Sequence, residues 1–237
     1  MAQVRSEWGP EGARKLSSQC NVLIVVDVLS FGTAVDVATS RGALIFPYGG
    51  LLEKAEGFAR RYGAALAQSR SHKDAFSLSP KSLEAIPAGT RLVLPSPHGA
   101  RVCLAAAGPA IFCACLRNAA AVARAAVAMG GTVGIVPAGE RWPDGSLRPA
   151  FEDLAGAGAI ASRVPGQHCP DTRAAIAAFD GAKAQLRERL LECPSGQELV
   201  ELGYPEDVDM AAQLDVSPVV PRLFDGAFRN VAGAVAA

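Results

Sequence analysis

An uninterrupted β-branched run, Val22 to Val26, stops at Asp27 and passes through a short loop into a helical pattern led by Thr33. A strand without polar alternation is buried on both faces, as in a parallel sheet covered by helices. Asp27 then marks the strand's carboxyl end. Ligands of open α/β sheets bind at that edge, and a helix starting near Thr33 would direct free backbone N–H groups towards them.

The same alternation continues down the chain. Strands are predicted at Ala43–Phe46, Ala64–Ala67, Arg91–Leu94, Ala110–Cys115 and Thr132–Val136. Between them lie a turn at Pro47–Gly50 and helices over Leu51–Tyr62, about Ala100–Ala107, and Asn118–Met129 closed by Gly130-Gly131. A helix over Ala150–Arg163 follows, then one capped by Asp171 and running towards Cys193, a turn or two over Ser195–Leu202, and a short acidic segment at Glu206-Asp207-Val208. The first residues, with a short helix at Gly12–Leu16, read as a lid or edge segment. Gln68–Pro87 is polar, Ser-rich and irregular, which marks either a functional loop or a solvated one. Strands alternating with helices predict a three-layer α/β fold with a mostly parallel buried sheet, as one domain over 1–237, with room for subdomains. The pattern does not set the strand order.

Composition narrows the function. Half of the 237 residues are apolar, enough for a sizeable core, and 23 Lys plus Arg balance 23 Asp plus Glu. A net charge of zero removes the electrostatic argument for nucleic acid or an anionic membrane as partner and leaves small molecules or proteins, a homo-oligomer included. No apolar run approaches the roughly twenty residues of a membrane span, and MAQVRSEWGPEG has no signal-peptide core, so a cytoplasmic location is expected. The six cysteines show no C-x-x-C spacing and so point to neither a zinc site nor a disulfide framework.

Three groups of residues carry candidate chemistry. Asp27 is either a helix cap or a ligand for a hard cation such as Mg²⁺. Glu152 and Asp153 open a helix after a strand and long loop; they are ordinary dipole partners alone, and become metal ligands if their strands adjoin that of Asp27. The loop Ser96 to Gly99 offers a hydroxyl, the imidazole of His98 and a glycine for close approach, with Arg101 behind it. Arg70, His72 and Lys73 form a basic group that either clamps an anion or is solvated. G-x-G-x-x-G after the first strand, the P-loop pattern and G-x-S-x-G are all absent, which argues against dinucleotide, P-loop and α/β-hydrolase chemistry.

Taken in order, VVDVLSFGTAV, RGA-IFP, FSLSP, LPSPHGARVCLAAA, a strand ending PAGE, FEDLAGAGAIASR and a looser GYPEDV resemble the 2-phosphosulfolactate phosphatase family (ComB-like proteins). The resemblance implies an α/β, Mg²⁺-dependent phosphatase that releases phosphate from 2-phospho-3-sulfolactate in the coenzyme M route. It places Asp27 at the family's strand-end Asp and Glu152-Asp153 at its Glu-Asp pair. Gly99 and Arg101 match its T-T-N-G-T-R loop, and Phe76, Leu78 and Pro80 match parts of its F-D-L-G-N-S-P loop.

The departures fall on the substrate side. Ser30 stands where the D-V-L-R-A-T-T-T pattern has Arg, leaving Thr33 as its surviving hydroxyl; His98 and Ala100 replace Asn and Thr; FSLSP is shorter; Pro137 replaces a Cys. A lost guanidinium contact of this kind is worth roughly 1.5–3 kcal/mol, enough to change the substrate. The expected function is Mg²⁺-dependent hydrolysis of a small phosphorylated acid. Asp27, Glu152 and Asp153 hold the ion, Asp27 or His98 handles protons, and Ser30, Thr33, Arg70, Ser96, Gly99 and Arg101 contact substrate. The alternative is a catalytically silent anion-binding paralogue of the same fold.

Overall fold

A computed structural model describes residues 3–72 and 74–233. In chain order the elements are β1 (Gln3–Ser6), α1 (Gly9–Ser17), β2 (Val22–Val26), α2 (Phe31–Ser40), β3 (Leu44–Tyr48), α3 (Ala55–Tyr62), β4 (Ala65–Leu66) and β5 (Arg91–Pro95). Next come α4 (Gly99–Ala105), β6 (Ala110–Ala114), α5 (Ala119–Met129), β7 (Val133–Pro137), the small hairpin β8 (Glu140–Arg141) and β9 (Leu147–Arg148), and α6 (Phe151–Ala161). The remainder is β10 (Gln167–His168), α7 (Pro170–Ala182), α8 (Leu186–Glu192), α9 (Pro194–Glu201), α10 (Pro205–Ala211), β11 (Pro221–Phe224) and β12 (Ala227–Asn230).

Ten strands form one sheet in the order β10-β1-β7-β2-β6-β11-β12-β3-β5-β4. All neighbours are parallel except around β11 and β12, which pair antiparallel with each other, with β6 and with β3. The C-terminal hairpin therefore joins two parallel halves. Its turn is Asp225-Gly226, both residues at positive φ (49° and 81°), the conformation a two-residue hairpin loop needs to match strand twist. This makes the fold the expected three-layer α/β arrangement.

β2 lies inside the larger half, between β6 and β7, with all five residues buried. Each Val or Leu side chain buried there contributes about 1.5–3 kcal/mol. α2 is buried along Phe31–Thr39, an apolar helix enclosed between the sheet and the irregular segment. On the other face α6 packs closely on α7: a Cβ on Gly158 would stand 2.0 Å from the Ala175 carbonyl oxygen. Small residues in LAGAGAIA permit that approach.

Several expectations need correction. The N-terminal segment is no lid, because Gln3–Ser6 is a sheet strand between β7 and β10. β3 runs to Tyr48, so the turn begins later than Pro47. The helix expected from Asp171 to Cys193 starts at Pro170 and breaks at Lys183–Gln185; its cap is Cys169, whose sulfur accepts from the Thr172 N–H. Asn118 does occupy the N-cap position of α5, but its side-chain oxygen accepts from the Cys115 N–H instead of capping the helix.

Candidate active site

The loops after β2, β5 and β7 and the start of α6 meet at one edge of the sheet, and carboxylates join them. Asp27 accepts the Phe31 N–H on one oxygen (3.0 Å) and the Gly99 N–H on the other (2.9 Å). It thus receives the first turn of α2 and also ties β2 to the β5–α4 loop. Asp153 accepts from Val28 N–H and Gly139 N–H, both at 2.8 Å, and ties α6 to the loops after β2 and β7.

Glycines make these approaches possible. A Cβ on Gly99 would lie 2.5 Å from Asp27 Oδ2, and one on Gly32 would lie 2.4 Å from the backbone oxygens of both Asp27 and Ala114. Any side chain at either position displaces Asp27 or its strand.

The carboxylates are buried and load one another. Burial pushes the Asp27 carboxyl up to about 6, Glu152 pushes the same way, and the two amides and Arg70 oppose it. Asp153 is driven well above the usual carboxylate range by burial, then by Asp27 and Glu152. Glu152 is 1% exposed and one of its carboxylate oxygens, Oε2, has no hydrogen-bond partner. It lies beside Cys193, whose thiol is pushed up to about 12 by burial and by that carboxylate.

Beside this cluster is a cavity of about 210 Å³ whose polar wall includes Asp27, Ser30, Arg70, Ser96, His98 and Glu140, with Ser195 and Glu198 from α9. His98 Nδ1 lies 3.1 Å from Glu140 Oε2. Burial and the cations Arg141, Arg101 and Arg148 lower His98 to about 4. Burial, Asp27 and Glu152 raise Glu140 to about 8. Both shifts favour the neutral forms, so an imidazole and a carboxylic acid face each other across this contact.

Arg70 reaches the cavity from the irregular segment. Its Nη2 donates to Ser30 Oγ at 2.8 Å and its Nε faces Asp207 at 3.3 Å. The buried Asp207 also accepts from Ser79 Oγ at 2.5 Å, so α10 fastens the segment at two points. A guanidinium thus stands at Ser30 although the residue at that position is not itself an arginine.

Other expected contacts lie elsewhere. Thr33 is fully buried and its hydroxyl donates to the Val28 carbonyl at 2.8 Å, so it holds the loop and does not face the cavity. Arg101 is exposed, outside the cavity wall, with its alkyl chain against Gly49. His72 is exposed and off the wall, and Lys73 lies outside the described residues. Ser96 is in the wall and accepts the His98 N–H at 3.3 Å. Glu140, Ser195, Glu198 and Asp207 were not expected. PAGE and GYPEDV contain Glu140 and Asp207 and were the available signals, whereas Ser195 and Glu198 carried none. A cavity of about 530 Å³ between β1, β10 and α7 contains none of the candidate residues.

The donors suit a hard divalent cation. They are carboxylate oxygens, they are mutually repulsive as placed, and one is buried without a partner. Among the described residues no three His, Cys, Asp or Glu side chains surround a common point. Mg²⁺ does not require such a cage, because it takes one or two carboxylates and keeps waters or a substrate phosphate.

Curated proteins provide no match to this sequence. The family model described as 2-phosphosulpholactate phosphatase matches residues 10–226, from α1 through the turn of the β11–β12 hairpin, and so takes in each loop that builds the acidic edge. On that match the chain belongs to the 2-phosphosulpholactate phosphatase family, whose members are phosphoric monoester hydrolases.

Proposed function

We propose that the chain hydrolyses a phosphate monoester of a small acid, 2-phosphosulfolactate or a related ester, with Mg²⁺ held by Asp27 and Glu152. The observation that carries this reading is Asp27 itself: a carboxylate fixed by two backbone amides in a cavity wall that also presents a guanidinium. Asp153, whose two oxygens accept the Val28 and Gly139 amides, keeps α6 in register with the loops after β2 and β7. With Asp27 and Glu152 as its ligands, Mg²⁺ would supply Lewis-acid withdrawal of charge from the phosphate ester.

The chain's own groups do the rest. Arg70, held by Asp207 and Ser30, binds the acid group of the substrate in a fixed orientation. Cleavage of the P–O bond leaves an alkoxide that needs a proton. The Glu140–His98 pair holds one at the cavity wall, between Glu140 Oε2 and His98 Nδ1.

Phosphate release from a panel of phosphorylated hydroxy acids, 2-phosphosulfolactate among them, tests the reading. Release in Mg²⁺ that EDTA and Asp27→Ala both abolish is expected. Release from no member, or release untouched by Asp27→Ala, refutes it. Binding of panel members without turnover would identify the silent paralogue.

A further inference from the structure

The acidic cavity opens into a larger space of about 620 Å³, and the two share Arg70, Leu78, Ser96, Pro97 and Leu202 in their walls. Their chemistry differs sharply. Asp27, Glu140 and Glu198 line the smaller chamber, whereas among the described residues no carboxylate lines the larger one. Its wall is mostly apolar, with Tyr48, Leu52, Leu78, Leu202 and Tyr204, and the uncharged polar residues Gln68, Ser69, Ser71 and Ser96 complete it beside Arg70. Tyr48 is largely buried, its ring against Phe58 (centroids 5.0 Å) and its hydroxyl donating to the Leu51 carbonyl (2.8 Å), so it gives the space a fixed aromatic wall.

Arg70 stands at the division, with its guanidinium 5.9 Å from the Tyr204 ring centroid. Leu52 and Leu202 are 70% and 60% exposed, an unfavourable state for large apolar side chains gathered around one opening. A three-carbon phosphorylated acid would use the acidic chamber and Arg70 and leave the rest empty. The volume beyond is typical of a site that encloses a much larger organic group.

We propose that the substrate is the phosphate ester of a hydroxy acid bearing an aromatic or bulky apolar side chain. The phosphoryl group lies in the acidic chamber, the carboxylate on Arg70, and the side chain between Tyr48, Leu52, Leu202 and Tyr204. This rests on the phosphatase reading above and specifies its substrate class.

The test compares 2-phospholactate with 2-phospho-3-phenyllactate, which differ only in the ring. In Mg²⁺ the phenyl ester is expected to show at least tenfold higher kcat/KM, and Leu52→Asp, at an exposed position, is expected to cut that ratio at least fivefold. Hydrolysis of the short ester with no gain from the ring overturns the inference and leaves the phosphatase reading standing. If neither ester is hydrolysed, the inference is overturned as a statement about substrate, the wider panel decides the phosphatase reading separately, and calorimetry with the non-hydrolysable phosphonomethyl analogues reads only whether the apolar space binds the ring. A dimer that Leu52→Asp dissociates, together with equal affinity for the two analogues, assigns the apolar face to a second copy of the chain and also overturns it.

Discussion

Replacing Gly99 by Ala adds one methyl group at the most crowded point of the site. The new Cβ would lie 2.5 Å from Asp27 Oδ2, 2.7 Å from Phe31 Cδ1 and 3.0 Å from Asp27 Cβ. Ordinary contact requires the carboxylate to retreat by about 1 Å, which breaks the 2.9 Å bond it accepts from the Gly99 N–H. A bond to a charged or strongly polarised carboxyl contributes roughly 1.5–3 kcal/mol, and overpacking costs about 1–3 kcal/mol more. Reduced freedom of the unfolded chain returns about 0.4–1 kcal/mol. The net loss is about 2–5 kcal/mol, which for a chain of this length lowers Tm by about 4–20 °C. A 1 Å displacement of a metal-bearing carboxylate costs on the order of 10²-fold in kcat/KM. Calorimetry and phosphate release on Gly99→Ala check both figures. Gly57→Ala is the control: its Cβ meets nothing within 4 Å and it lies inside α3 at no positive φ, so it leaves activity alone and raises Tm slightly. A Gly99→Ala protein that matches Gly57→Ala in both assays refutes this account of the site.

Arg70→Met removes the partner of the buried Asp207 and the guanidinium at Ser30; it is expected to raise KM at least tenfold and lower Tm, with Arg70→Lys between it and the wild type in a steady-state assay. Thr33→Val loses the 2.8 Å bond to the Val28 carbonyl, so urea unfolding should show a loss of about 1–2 kcal/mol while kcat/KM of the folded enzyme stays within about threefold; a large activity loss at unchanged stability would make Thr33 a substrate contact. The pH dependence of metal-free stability follows from Glu140 and His98. Glu140 is raised to about 8, so from pH 6.5 to 8 the folded state holds a proton the unfolded chain lacks, and stability falls as pH rises; Asp153 adds the same sign. His98, lowered to about 4, opposes this only below its ordinary value of 6.5. Tm scans should therefore decline from pH 6.5 to 8.5, and less steeply in Glu140→Gln, where the contribution of Asp153 remains; a rise over that interval in the wild type refutes the assignment.

Local signals revealed the centre of the site and missed its periphery. An apolar run ended by an acid located β2 and Asp27, because a strand buried on both faces has nowhere to place a polar residue except its end. Asp225-Gly226 between Arg222-Leu223-Phe224 and Ala227-Phe228 is an equally local hairpin signal that none of the expected elements covers; without that hairpin the two parallel halves of the sheet have no strand pairing between them. Thr33 and Arg101 were of suitable residue types, but the helix faces on which they fall direct one into the core and the other to solvent. Glu140, Ser195 and Glu198 reach the cavity, and Asp207 reaches Arg70, only through tertiary packing, from a short hairpin and two C-terminal helices whose positions depend on a strand order the pattern did not set.

Glu152 shows a related limit. Its place beside Asp153 and the family pattern suggested a shared metal site with Asp27, whereas only the fold shows that one Glu152 oxygen is buried without a partner while both oxygens of Asp153, like those of Asp27, accept backbone amides.

The most direct test of the central claim is phosphate release by the wild type and by Asp27→Asn as Mg²⁺ is titrated into metal-free protein. Saturable activation of the wild type, with activity at least 10²-fold lower in Asp27→Asn at every Mg²⁺ concentration, is the predicted result. Equal activity in the two proteins, or turnover that persists without Mg²⁺, contradicts it.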